Sequence, residues 1–131
     1  MDKWTVIPTK KVNDIEFGME RSEVRKKFPV PAREFKKSKF SKRTTDDFGS
    51  CHVYYDENDR CEAVEIFDDT EVYMDGKKVF PITVQEIMEI IPDLVKEDDS
   101  LIGDKTSIGI YAPGDKMESI LIGCEGYYTE I

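Results

Sequence analysis

Two stretches decide the fold: residues 54–67, YYDENDRCEAVEIF, and residues 110–123, IYAPGDKMESILIG. Laid over one another at an offset of 56, they match Tyr55 with Tyr111, Asp59 with Asp115, Glu62 with Glu118 and Ile66 with Ile122. Arg60 falls on Lys116, and Val64 on Ile120. Each stretch reads as a strand, a polar turn and a second strand, because β-branched and aromatic residues flank a run of turn formers. Self-similarity at a fixed spacing is the mark of a repeated supersecondary unit.

A second match, at an offset of 63, sets residues 20–29, ERSEVRKKFP, on residues 83–92, TVQEIMEIIP. Val24 meets Ile87, Phe28 meets Ile91, and both segments stop at a proline, Pro29 and Pro92. Thr83 with Glu86 three residues on is a capping box, so a helix should begin at Val84. Its apolar residues Val84, Ile87, Met88 and Ile91 have helical spacing. The difference between the offsets is a longer loop after the first helix. Repeat 1 then covers about residues 14–67, a central hairpin on Asp75-Gly76 about 70–80, and repeat 2 about 81–124. With an early strand around Trp4–Ile7, all of this fits a single domain of residues 1–131. The expectation is an α+β fold: an antiparallel sheet built from two tandem helix–β-hairpin repeats, with the helices packed on one face.

Three-residue loops at Glu57-Asn58-Asp59 and Pro113-Gly114-Asp115 set a register. Tyr54 is expected opposite Glu62, His52 opposite Val64, Ile110 opposite Glu118 and Ile108 opposite Ile120. One face then gathers His52, Tyr54, Val64 and Ile66 with Ile108, Ile110, Ile120 and Ile122. The other carries Ala63, Glu65, Gly109 and Ser119, together with Val53, Tyr55, Tyr111, Met117 and Leu121. These last five are the candidate partner-binding residues, since tyrosine offers large contact area at low entropic cost. The competing expectation is that the N-terminal strand, residues 126–131 or a second subunit covers that face.

The chain has 131 residues, 39% of them hydrophobic with 7 Phe, 6 Tyr and 1 Trp, which argues for a folded core. No apolar run approaches the roughly 20 residues of a membrane helix. The opening MDKWTVIPTKK lacks the apolar centre of a secretory signal. Three cysteines without a CxxC argue against a disulfide framework or a zinc ribbon, so a reduced, cytoplasmic location is expected. The net charge of −9 conceals a division: residues 1–43 balance to +7 and residues 44–131 to −16. Ten cations crowd residues 21–43 against Glu23 and Glu34. Nucleic acid is an unlikely partner, because the acidic body repels phosphate and no recognition motif is present. A basic protein is the expected partner by charge.

Catalytic vocabulary is sparse. The single histidine, His52, adjoins Cys51, but adjacent strand residues point to opposite faces and cannot form a dyad. Asp46-Asp47, Asp68-Asp69 and Asp98-Asp99 could supply paired carboxylates or ligands for a hard cation, yet each sits beside turn formers where aspartate is at home. Residues 56–59, DEND, partly match a calcium loop without its sixth-position glycine or distal glutamate. No Walker loop, Rossmann fingerprint, nucleophile elbow or metalloprotease motif occurs. These residues imply no enzyme, no cofactor and no metal site. The alternative is a small-ligand or divalent-metal-binding protein, or an enzyme using loop carboxylates.

The segments FGMERSEVRKKF, CHVYYDENDRCEAVEIF and SIGIYAPGDKMESILIGCEGYY resemble a group of small, uncharacterised bacterial proteins. That group has a phenylalanine-glycine-methionine helix start and two such hairpins. More distantly, Gly18-Met19 and the hairpin after it resemble the unit of the outer-membrane-assembly lipoprotein E family. The beta-lactamase inhibitor protein family sets two such units in tandem and grips its target with the sheet. The resemblance implies a partner-binding sheet. The acidic balance after residue 43, the repeated tyrosines and the sparse catalytic groups point to a non-enzymatic protein-binding domain, in biological terms an immunity or inhibitor protein.

Overall fold

A computed structural model describes residues 3–36, 38–40, 43–67 and 70–129. Its strands are β1 (Lys3–Ile7), β2 (Lys11–Val12), β3 (Ile15–Glu16), β4 (Arg33–Phe35), β5 (Thr45–Asp47), β6 (Cys51–Tyr55), β7 (Cys61–Phe67), β8 (Glu71–Met74), β9 (Lys77–Phe80), β10 (Leu94–Glu97), β11 (Ser100–Gly103), β12 (Ile108–Tyr111) and β13 (Ser119–Gly123). The helices are α1 (Arg21–Lys26) and α2 (Val84–Ile90). The strands form two sheets, of order β3-β2-β1-β8-β9 and β10-β11-β12-β13-β7-β6-β5-β4.

This corrects the expected α+β layout. Among the described residues strand accounts for 46% and helix, with the 3-10 turn at Pro113–Asp115, for 13%, too little helix to form a layer over one sheet. The helices have six and seven residues, and each buries one side chain fully, Val24 in α1 and Ile87 in α2. The prolines beyond them explain the brevity, since a proline N can neither donate nor tolerate the preceding turn. The central hairpin β8–β9 does not join the large sheet either. It pairs with β1, in parallel, within the smaller sheet. One core takes in side chains from both sheets and both helices: Trp4, Val12, Val72 and Phe80 with Val64, Ile66, Ile110, Ile120 and Ile122.

The repeat is longer than the two matched stretches. Each unit is a short hairpin (β2–β3 or β8–β9), a helix (α1 or α2) and a four-stranded meander (β4–β7 or β10–β13). The hairpins turn alike, at Asn13 (φ 51°) and Asp75 (φ 53°), where short polar side chains tolerate the left-handed region. The meanders meet at β7 and β13, which run antiparallel with Glu65 opposite Leu121. Those two residues occupy equivalent places in the units, so the large sheet has a pseudo-two-fold arrangement about their pair. Strand β1 has no counterpart and lies between the equivalent strands β2 and β8.

At α2 the capping box forms as the sequence dictates. The Thr83 hydroxyl accepts from the Glu86 N–H at 3.1 Å, and the Glu86 carboxylate accepts from the Thr83 N–H at 3.2 Å. Thr83→Ala should therefore lower stability by about 1 kcal/mol, read as a lower urea midpoint at unchanged m-value. An unchanged midpoint would show that tertiary packing alone holds the helix.

The register differs from expectation at one bulge. Next to the turn the pairing is as expected: Asp56 donates its N–H to the Arg60 carbonyl at 2.8 Å, and Tyr55 lies opposite Cys61. Then Glu62 is an extra residue in β7, and Tyr54 meets Ala63, Val53 meets Val64 and Cys51 meets Ile66. One inserted residue reverses the faces of everything beyond it. Cys51, Val53 and Tyr55 therefore join Val64 and Ile66 inside, while His52 and Tyr54 point outward. In the second unit the slip is two residues, Ile108 opposite Ile122 and Ile110 opposite Ile120, which keeps the four isoleucines together on the buried face. The tyrosine structurally equivalent to Tyr111 is thus Tyr54, not Tyr55.

Candidate functional site

The five sequence-derived binding residues do not share a surface. Val53 (0% exposed), Tyr55 (5%) and Met117 (5%) are in the core, whereas Tyr111 is 45% exposed and Leu121 half-buried. Only Tyr111 and Leu121 belong to the outer face of the large sheet. The structure adds others there. Val95, Ile102, Gly109, Leu121 and Glu65 are successive cross-strand neighbours from β10 to β7, with Val95 60% exposed.

At the centre of this face, Ile102, Tyr111, Ser119, Leu121, Tyr128 and Glu65 line a cleft of ≈ 270 Å³. Glu65 is half-buried and accepts hydrogen bonds from the Tyr54 hydroxyl and, at 2.9 Å, from the Ser119 hydroxyl. Among the described residues it has no ion-pair partner. Burial, the hydrogen bond to Glu65 and its negative charge raise the Tyr54 phenol above its ordinary value. Burial also pushes Tyr127 up to about 12.

The C-terminal segment supplies the roof of this cleft. A Cβ placed on Gly109 would collide with the Tyr128 hydroxyl oxygen, and one on Gly123 would lie 2.7 Å from the Tyr127 ring. Both glycines therefore let an aromatic ring rest directly on the sheet backbone. Tyr127 and Tyr128 thus cover the middle of the outer face over Gly123 and Gly109, and leave open the β10–β12 side around Val95 and Tyr111. Residues 130 and 131 lie outside the described residues.

A polar cluster of opposite character lies on the buried side. Asp46 is 0% exposed, and Arg25 grips it with two bonds of 2.9 and 2.7 Å. Arg21 adds a bond of 3.1 Å and the Tyr55 hydroxyl one of 2.8 Å. The Arg21 guanidinium also stacks on the Tyr55 ring, 4.0 Å from its centroid, and ties in Asp59 and the Thr44 carbonyl. Burial alone would raise the Asp46 carboxyl, but the hydrogen bonds from Arg25 and Tyr55 and the charges of Arg25 and Arg21 hold it below its ordinary value. In the second unit Leu101, opposite Ile110, takes the place of Asp46, opposite Val53. The offset of 63 puts Val84 and Met88 where Arg21 and Arg25 stand. One half of the molecule thus carries a salt-bridged cluster where the other carries apolar side chains.

A second concavity, of ≈ 320 Å³, is lined by Trp4, Asp14, Lys27, Phe28, Phe48 and Ser50, among others. Phe28 stacks on Phe48 at 3.8 Å.

No family model, curated protein or solved structure matches the chain. The site must therefore be judged on its own geometry. Cys51 points into the core, where burial pushes its thiol up to about 12, so it is not poised as a nucleophile. His52 lies on the outer face between the rings of Phe35 and Phe67, at 4.9 and 4.7 Å, with Asp47 3.7 Å away. Of the aspartate pairs, Asp46 is consumed by arginine, Asp98 and Asp99 turn the β10–β11 hairpin, and Asp68-Asp69 lies outside the described residues. Among the described residues, no group of three or more His, Cys, Asp or Glu could hold a metal ion. Among the described residues no helix is long and apolar enough to cross a membrane.

Sequence reasoning missed Glu65 as a site residue, along with Tyr54, Tyr128, Arg21, Arg25 and Asp46. Arg21 and Arg25 do carry a signal, since i and i+4 positions share one helix face.

Proposed function

We propose that the chain is a non-enzymatic protein-binding domain that takes a basic partner on the outer face of the large sheet, as an immunity or inhibitor protein would. The observation that carries this reading is the open β10–β12 side of that face. There Val95 and Tyr111 are exposed beside Ile102 and Leu121, on a body whose charge after residue 43 balances to −16. An aromatic and aliphatic patch on an acidic body is a composition suited to recognising a basic protein.

The test compares immobilised wild type with the Tyr111→Ala/Leu121→Ser variant, first confirmed to unfold at the same urea concentration. Lysate and culture supernatant of the source are passed over both. The expected result is one basic protein bound saturably by wild type, with at least tenfold weaker affinity for the variant. Equal binding to both, or none to either, would overturn the reading.

A small-ligand role is favoured by one observation, the aromatic concavity at Trp4, Phe28 and Phe48. Its volume lies at the lower end of the roughly 300–1,000 Å³ of ligand pockets. Trp4 is the only tryptophan, so a metabolite entering there would change the intrinsic fluorescence directly.

A further inference from the structure

We propose that the cleft over Glu65 is a receptor for one arginine side chain of the partner. This rests on the preceding reading of the outer face as the binding surface, and it specifies the anchoring group. The reasoning starts from two carboxylates of the large sheet, Asp46, which is fully buried, and Glu65, which is half-buried at the floor of the cleft. Asp46 receives two guanidinium groups and a phenol. Glu65, half-buried beneath tyrosines, receives only two hydroxyls. A carboxylate partly removed from water gains from a cation set beside it, and here the described residues supply none.

The acceptor capacity of Glu65 is also unspent. A carboxylate offers about four lone-pair sites, and the Tyr54 and Ser119 hydroxyls take one on each oxygen. Each oxygen keeps a second site, which is the arrangement a two-pronged guanidinium satisfies. The walls favour the same group. Tyr111 and Tyr128 present aromatic rings, on which a planar guanidinium stacks better than a compact, strongly hydrated ammonium. Ile102 and Leu121 offer apolar surface for the methylene stem. At ≈ 270 Å³ the cleft suits one long side chain and falls short of the roughly 300 Å³ at which small-molecule pockets begin.

The probe is N-acetyl-arginine methylamide, titrated into the full chain and followed by NMR shifts of backbone amides and tyrosine rings. Controls are the citrulline analogue, which keeps the shape and loses the charge, and the lysine analogue. The expected result is saturation in the millimolar range, with shifts confined to Glu65, Tyr111, Ser119, Leu121 and Tyr128. Affinity should fall at least tenfold for citrulline and for Glu65→Gln, and severalfold for lysine. Tyr111→Ala, at an exposed position that cannot endanger the core, should weaken binding severalfold.

Absence of saturation, shifts spread over the acidic surface, or equal binding of arginine and citrulline would overturn the proposal. Lysine binding as tightly as arginine would overturn the choice of guanidinium. Because the probe is a small molecule, the outcome is independent of the partner. Arginine binding with no captured protein would leave the cleft standing and sink the functional reading. Capture of a partner without arginine binding would do the reverse.

Discussion

Replacing Asp46 with alanine should destabilise the protein by about 3–5 kcal/mol, measured as a loss in urea-unfolding free energy. The size comes from what is left behind. Arg21 has a side chain only 11% exposed, and it would keep its charge facing a cavity where a carboxylate had stood. The Tyr55 hydroxyl, also buried, would lose its acceptor. Removing the whole cluster is a different matter. Apolar residues in place of a buried ion pair are often neutral or stabilising, and the second unit offers Val84, Met88 and Leu101 for the two arginines and the aspartate, while phenylalanine keeps the Tyr55 ring without its hydroxyl. The combined change Arg21→Val, Arg25→Met, Asp46→Leu and Tyr55→Phe should recover most of the loss caused by Asp46→Ala. If the combined variant is as unstable as the single one, the two halves do not pack equivalently.

The same cluster sets an acid limb of stability. The Asp46 carboxyl is held below its ordinary value of 3.8 in the folded chain. A depressed folded value means that the contribution is present above the ordinary value and is lost as pH falls through the folded one. Wild type should lose stability between about pH 5 and pH 2 more steeply than the combined variant.

Neighbouring residues of β13 should separate stability from recognition. Ile122 is 0% exposed and faces the core, so Ile122→Ala should cost about 2–5 kcal/mol through lost burial and a residual cavity. Leu121, one residue away, points to the outer face. Leu121→Ala should change the unfolding midpoint little and weaken the arginine probe severalfold. Equal destabilisation by both would mean that Leu121 packs beneath the C-terminal tyrosines as firmly as Ile122 packs in the core.

Local signals were legible and long-range ones were not. The Thr83–Glu86 capping box and the Asp75-Gly76 turn are decided within four residues, and both stand where the sequence puts them. The four isoleucines of β12 and β13 share the core face because a two-residue slip preserves alternation. The bulge at Glu62 has no such signature: neither glycine nor a gap in the apolar pattern marks it, yet it turns Val53 and Tyr55 inward. Strands such as Arg33–Phe35 and Thr45–Asp47 are three residues long and polar, so they exist through their partners rather than through their own preference. The cleft was illegible for the same reason. Glu65, Ser119 and Tyr128 come together only once β7 lies against β13 and the C-terminal segment folds back across Gly109.

The pairing of Glu65 with Leu121 has a consequence for how such a cleft can arise at all. In a dimer of two identical units joined through the same strands, the residue on the symmetry axis would face its own copy. A glutamate there would oppose a glutamate, two like charges side by side on adjacent strands. A leucine would oppose a leucine, and the cleft would have no carboxylate. Joining both units in one chain removes that constraint. Only then can the central position be acidic on one strand and aliphatic on the other, giving a symmetric scaffold a single, unsymmetric floor.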